Sequence, residues 1–112
     1  MSRVYVPATL ADLAAWHASG TIASVGDGFV APDETEEGEY AALMSAADAS
    51  SALLAGPGRR IVVVVDTAVE DGPVPMSEAV AVHADLADRP ADADPDDDLG
   101  WFATQEIPDL LA

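Results

Sequence analysis

The spacing of apolar residues predicts a first helix directly after a short N-terminal strand. Residues 3–6 form a β-branched and aromatic run, and Pro7 ends it because proline cannot donate to a strand ladder. The following helix is expected to begin after Thr9, with Asp12 completing a capping box. Gly20 is expected to end it, as glycine commonly does at a helix C-terminus.

A second and longer helix is predicted within residues 33–58. Acidic residues lie where its positive dipole end would be, Asp33 or Thr35 offers a cap, and Gly56 with Pro57 ends the pattern. The remaining Ala and Ser positions would let another backbone approach closely. The residues that follow the helical repeat, and are expected to form its apolar face, are Tyr40, Leu43, Met44, Ala47, Ser51 and Leu54.

The remaining apolar runs predict strands. Residues 61–65, IVVVV, have the continuous apolar character of a strand that is covered on both faces or central in its sheet. Residues 79–85 alternate, with Val80 predicted on the same side as Val82 and opposite His83. Two short extended pieces around the glycine-containing turn at residues 26–28 are expected to pair as a hairpin.

This order of elements predicts an α+β fold built as a two-layer sandwich. A sheet of four to six short strands would carry both main helices on one face, because only two helices are long enough to cover it. Residues 1–112 are expected to form one domain. An acidic loop is predicted at residues 86–99.

Charge narrows the expected partners. The chain has 21 acidic residues and four basic ones, giving a net charge of −17. Nucleic acids and anionic membranes are therefore not expected as partners, because both would be repelled. Cysteine is absent, no signal-peptide core is recognisable, and the apolar run at 61–65 is far shorter than the roughly 20 residues that cross a bilayer. A cytoplasmic location is expected.

Only a few residues could carry chemistry. His83 and Asp85 share a predicted strand face, and Asp66 ends the preceding strand, so a small enzyme or ligand-binding protein using these three is one alternative. Asp92, Asp94 and Asp96 have the odd-numbered spacing of a calcium loop, but the glycine and glutamate that such a loop requires are missing. No metal and no cofactor are expected.

The C-terminal segment is the predicted binding region. Trp101 and Phe102 are adjacent, so on a strand they must face opposite sides of the sheet. Either the segment completes the core, or the aromatic residue that faces away from the core forms an apolar interface with Ile107, Leu110 and Leu111. The function expected from these features is a non-enzymatic protein-binding or regulatory module, with a basic protein or a second copy as partner. A further alternative is an acidic DNA mimic that inhibits a basic protein.

Four segments of the chain together carry a family resemblance. They are RVYVPATLADL near the start, EYAALMSAADASSALLA, GPVPMSEAVAVHAD, and LGWFATQEIPDLLA at the end. In this order they resemble an actinobacterial family of small proteins of unknown function. The resemblance implies a cytosolic origin in such bacteria and carries no activity. It also implies that the Asp-rich stretch, where relatives have other sequence, is a solvated linker that delivers residues 100–102 to the sheet.

Overall fold

A computed structural model describes residues 2–112, in which short strands alternate with three α-helices. In chain order the elements are β1 (Ser2–Ala8), α1 (Leu10–Ser19), β2 (Thr21–Ile22), β3 (Phe29–Val30), α2 (Glu36–Ala52), β4 (Ile61–Thr67), β5 (Val74–Pro75), β6 (Ala79–Ala84), β7 (Gly100–Phe102) and α3 (Ile107–Leu111). Single 3₁₀ turns precede β6 and α3.

The strands form one antiparallel sheet of five, in the order β3-β1-β4-β6-β7, and a separate pair, β2-β5. β4 is the central strand, and β1 pairs with it along its whole length, from Ser2 opposite Thr67 to Ala8 opposite Ile61. The α+β class is confirmed, and the main sheet has a strand number within the predicted four to six. The acidic loop is the connection between β6 and β7.

The two main helices lie on opposite faces of the sheet, which corrects the predicted two-layer arrangement. Leu13 of α1 packs with Val63 of β4, together with residues of α3 and of the β2-β5 pair. On the other face, α2 packs against Val62 and Val64 of the same strand. Successive strand residues point to opposite faces, so the molecule has three layers. The IVVVV run is apolar throughout because β4 is buried on both sides.

The buried side of α2 is also different from the predicted one. Small residues face the sheet, whereas Tyr40 is 49% exposed and Leu43 is only partly buried. Alanine at the contact lets the helix axis approach the sheet closely, so larger residues are placed at the margin. Ser50 is fully buried, donates to the carbonyl oxygen of Ala8 at 2.6 Å and accepts from the amide of Ile61 at 2.9 Å. The other buried residues of α2 are Gly38, Ala42, Ala46 and Ala47.

The first helix begins and ends as predicted. Thr9 and Asp12 form a reciprocal capping box, with hydrogen bonds of 3.1 and 3.0 Å, and Gly20 ends the helix in the left-handed conformation at φ 77°.

The predicted hairpin after α1 is wrong, because β2 pairs with β5 and β3 pairs with β1. A side chain at Gly28 would collide with Val4 of β1. Gly28 therefore allows the chain to pass close to β1, and the turn does not form a tight hairpin.

The predicted alternation along β6 is interrupted by a bulge. Val64 is opposite Ala81 and Val65 is opposite Ala79, which leaves Val80 as the extra residue. Val80 is consequently 42% exposed, and Ala79, in place of Val80, is partly buried against the core that contains Val82. The alternation holds from Ala81 onward, so His83 lies on the α2 side of the sheet.

Candidate functional site

The three residues proposed for chemistry lie in separate surroundings. His83 of β6 is half-buried between Val62 and Trp101 on its neighbouring strands. No hydrogen bond within residues 2–112 involves its imidazole, and burial lowers the pKa of His83 below the usual histidine value. Asp66 is four residues beyond Val62 on β4, which places it about 13 Å from His83 along the strand direction. The fold does not bring His83 and Asp66 together.

Asp85 is bound to Arg60 in a buried pair. The guanidinium donates to both carboxylate oxygens, from Nε to Oδ2 at 3.0 Å and from Nη2 to Oδ1 at 2.8 Å. The backbone amide of Arg60 donates to Oδ2 at 2.8 Å. Burial alone raises the pKa of Asp85, but the hydrogen bonds and charge of Arg60 outweigh it and lower that pKa below the usual aspartate value. The carboxylate has a structural partner and no hydrogen bond to His83.

Asp66 is bound to a different arginine at the opposite end of β4. Arg3 of β1 donates from Nε to its Oδ1 at 3.1 Å and also lies 3.5 Å from Glu39 of α2. The hydrogen bond to Asp66 raises the pKa of Arg3. Arg3 therefore links β1 to β4 through Asp66 and to α2 through Glu39, at the surface.

The acidic loop is folded around two arginines. The guanidinium of Arg60 donates to the backbone oxygens of Pro95 at 3.1 Å and Asp97 at 2.8 Å. Arg89 binds the carbonyl oxygen of Asp94 and the carboxylate of Asp97, the latter at 3.1 Å. Gly58 and Arg89 exchange two backbone hydrogen bonds. The loop is therefore held by specific hydrogen bonds to these arginines, while most of its residues remain exposed to solvent.

This arginine-centred arrangement was missed from the sequence. The available signal was the position of the cations: two of the four arginines, Arg59 and Arg60, precede β4, and Arg89 lies within the acidic stretch. In a chain with so few cations, each is surrounded by potential carboxylate partners. Nothing in the spacing identifies Asp85 as the partner, because 25 residues separate it from Arg60.

The predicted binding residues divide between the two faces of the sheet. Ile107 and Leu110 of α3 are buried in the α1-side core, and Phe102 and Leu111 pack against the same core. Trp101 faces the other side, opposite His83, and is 61% exposed. The opposite orientation of Trp101 and Phe102 is as expected, but the α3 residues do not form one patch with Trp101.

Trp101 lies at the part of the sheet that α2 covers least. The helix packs mainly on β1, β3 and β4, whereas Trp101 belongs to the edge strand β7. Tyr40 of α2 donates through its hydroxyl to Asp98 of the acidic loop at 2.9 Å, and this bond raises the pKa of Tyr40. We call Trp101, His83, Tyr40 and Asp98 together the Trp101 surface.

Concave regions lie elsewhere. A cavity of about 40 Å³ between the end of α2 and the acidic loop, beside Arg60 and Arg89, has room for only about two or three water molecules. An open cleft of about 540 Å³ lies at the Arg3 end of the sheet. Neither is lined by His83 or Trp101. Within the part of the chain that the structure describes, no three or more His, Asp or Glu side chains are grouped as metal ligands.

Within residues 2–112, no helix has the length and apolar character needed to cross a membrane.

Comparison with known proteins gives a family and no activity. The model of a family of unknown function, DUF6912, matches residues 2–111. Neither the curated proteins nor the solved structures include a match to this chain. The predicted resemblance to a family of unknown function is confirmed, and the actinobacterial origin stays a prediction.

Proposed function

The chain belongs to DUF6912, a family of unknown function, and from its surface we propose that it is a protein-binding module that recognises a basic partner. The binding site is the Trp101 surface. The observation that carries the proposal is the 61% exposure of Trp101 on a regular strand next to a partly uncovered sheet face. Tryptophan is among the residues that most often dominate binding energy at protein interfaces.

Trp101 is not required to complete the core. Its neighbour Phe102 packs against the α1-side core, while the α2-side core is built from Tyr5, Val62 and Val64 with the alanines of α2. An exposed indole on a rigid strand can be buried by a partner with little loss of conformational freedom. The position of Trp101 therefore favours a role in contact with another molecule.

The net charge of −17 favours a basic partner over a second copy. Asp98 lies within the Trp101 surface, and the exposed Asp96 precedes it by two residues. These carboxylates attract arginine or lysine side chains of the partner, and the face of the indole also attracts cations. Two copies of this chain would bring the same acidic segments together and repel each other. A basic partner is also attracted at long range, which speeds association.

A defined peptide tests the proposal. The probe is a fluorescein-labelled peptide of alternating arginine and valine, with a glutamate-valine peptide of equal length as the charge control. We expect the first to bind and the second not to bind. Trp101→Ala should weaken binding by about 30-fold, as for a residue that dominates an interface. Leu53→Ala, which alters another exposed apolar residue at the end of α2, should leave the affinity unchanged.

Stability measurements separate a binding role from a core role. Trp101→Ala should cost no more than about 1 kcal/mol in the free energy of unfolding, because the side chain is mostly exposed and the loss is confined to its cross-strand pair with His83. Phe102→Ala should cost about 3 kcal/mol, because Phe102 contacts the core. The proposal is wrong if the arginine-valine peptide fails to bind or if Trp101→Ala binds it as tightly as the unaltered protein.

A further inference from the structure

The unpaired outer edge of β7 indicates how a partner would bind to this protein. β7 is the last strand of its sheet, and within residues 2–112 no other strand pairs with its outer side. The backbone hydrogen bonds outside regular elements also include none from Gly100, Trp101 or Phe102. The outer amides and carbonyls of this strand are therefore available to a further strand.

Exposed apolar side chains flank this edge on both faces of the sheet. Trp101 lies on the α2 side. On the other side, the Leu86 side chain lies against Gly100, close to Phe102, and is 75% exposed. A strand added beside β7 would place its alternating side chains next to Trp101 on one face and next to Leu86 on the other. Both exposed residues would then be covered by a single extended segment.

The other edge of the sheet is less suited to a further strand. β3 contains only Phe29 and Val30, and Pro32 follows two residues later. Proline lacks the amide hydrogen that a continued ladder would need. Phe29 is also packed against the α2-side core, so its side chain is not free to cover an added strand.

The charges around β7 identify the chemistry of the added strand. Asp96, Asp97 and Asp98 precede β7, and the exposed Glu106 and Asp109 follow it. A second copy pairing through β7 would bring these carboxylates against their equivalents. We propose that the β7 edge binds an extended segment of a basic protein, with alternating arginine or lysine side chains, as a sixth strand of the sheet. This inference rests on the proposed function and specifies how the partner binds.

Hydrogen exchange and a backbone-modified peptide test this mode. On binding the arginine-valine peptide, the amides of residues 100–102 that point away from β6 should exchange at least about ten-fold more slowly. The amides of β3 provide the control within the same molecule and should not change. A peptide of identical sequence with every backbone nitrogen methylated keeps its charge and side chains but cannot form a strand ladder. It should bind at least about ten-fold more weakly.

The possible negative results distinguish a failure of strand addition from a failure of the proposed function. Equal binding of the methylated peptide, or unchanged exchange in β7 while Trp101→Ala still weakens binding, overturns strand addition and leaves the proposed function standing. Absence of binding by the unmodified peptide overturns both. Slow exchange of the outer β7 amides without peptide, together with a dimer in sedimentation analysis, shows that a second copy occupies the edge and also overturns the inference.

Discussion

Two arginine–aspartate pairs stand at opposite ends of the central strand β4, and they differ mainly in their access to water. Arg60 and Asp85 have side chains that are 3% and 5% exposed, whereas Arg3 and Asp66 are 47% and 35% exposed. The closest contacts are similar, at 2.8 and 3.1 Å. Distance alone therefore does not distinguish the two pairs, and burial does.

The buried pair determines the local fold and the exposed pair does not. Removing Arg60 and Asp85 from water carries a large desolvation cost, which is offset only because nearly every polar atom has a partner. Those partners include the carbonyl oxygens of Pro95 and Asp97, so the loop must close over Arg60 for the pair to be stable. Arg3 and Asp66 remain hydrated and need no such closure. Asp85, directly before the acidic loop, is thus a buried structural carboxylate, whereas the aspartates of the loop itself are exposed.

The largest expected effect comes from removing one member of the buried pair. Arg60→Met keeps the apolar stem and the backbone hydrogen bond to Asp85 but removes the guanidinium, so that Arg89, 3.8 Å away, is the remaining cation beside the buried carboxylate. Losing the close partner of a buried charge should cost about 3–5 kcal/mol in the free energy of unfolding. Arg3→Met is the matched control and should cost at most about 1 kcal/mol. Urea denaturation measures both. Equal losses for the two variants would show that burial does not distinguish the pairs.

The same substitution should disturb the Trp101 surface. Arg60 holds the segment that leads into β7, through Pro95 and Asp97. Tryptophan fluorescence and peptide binding of folded Arg60→Met protein, measured without denaturant, should therefore change, while those of Arg3→Met should not. An unaltered Trp101 surface in Arg60→Met would mean that the loop keeps its conformation without the pair.

The pH dependence of stability gives a smaller effect that separates the pairs. The folded state lowers the pKa of Asp85, so its stabilising contribution is present above the unfolded value of about 3.9 and is lost as pH falls through the lower folded value. Asp85→Asn should therefore remove up to about 1.4 kcal/mol per pH unit from the acid slope of the stability curve. Arg3→Met should retain that slope. An unchanged slope in Asp85→Asn would contradict the assigned cause.

The sequence predicted the elements better than their arrangement. The IVVVV run indicates a strand covered on both sides, and the structure places a helix on each side of β4. Placing both helices on one face conflicted with that pattern. For α2, large apolar residues indicated the wrong side, because close packing against a sheet favours alanine at the contact. Tyr40 is therefore outside, although its spacing is helical.

The candidate site shows the same division between local and long-range information. The opposite orientation of Trp101 and Phe102 follows from the two-residue period of a strand and could be predicted. The buried ion pair between Arg60 and Asp85 depends on how the loop closes over two strands, and no local sequence pattern predicts this pairing. Asp85 therefore resembled a partner for His83, since the two share a strand face in sequence.

The smallest expected effect is the response of each pair to salt. A double-mutant cycle for Arg3 and Asp66 should give a coupling energy of about 0.2–1 kcal/mol at low salt, falling towards zero near about 1 M, where the screening length is about 3 Å. The cycle for Arg60 and Asp85 should change little, because solvent ions do not reach a pair that is 3% and 5% exposed.

Total stability is an unsuitable measure, since salt also reduces the self-repulsion of a chain with net charge −17 and should stabilise every variant. The cycle removes this shared contribution, so the difference between the two couplings reports burial alone. Equal salt sensitivity of the two couplings would show that water and ions reach Arg60, and that the loop opens in solution.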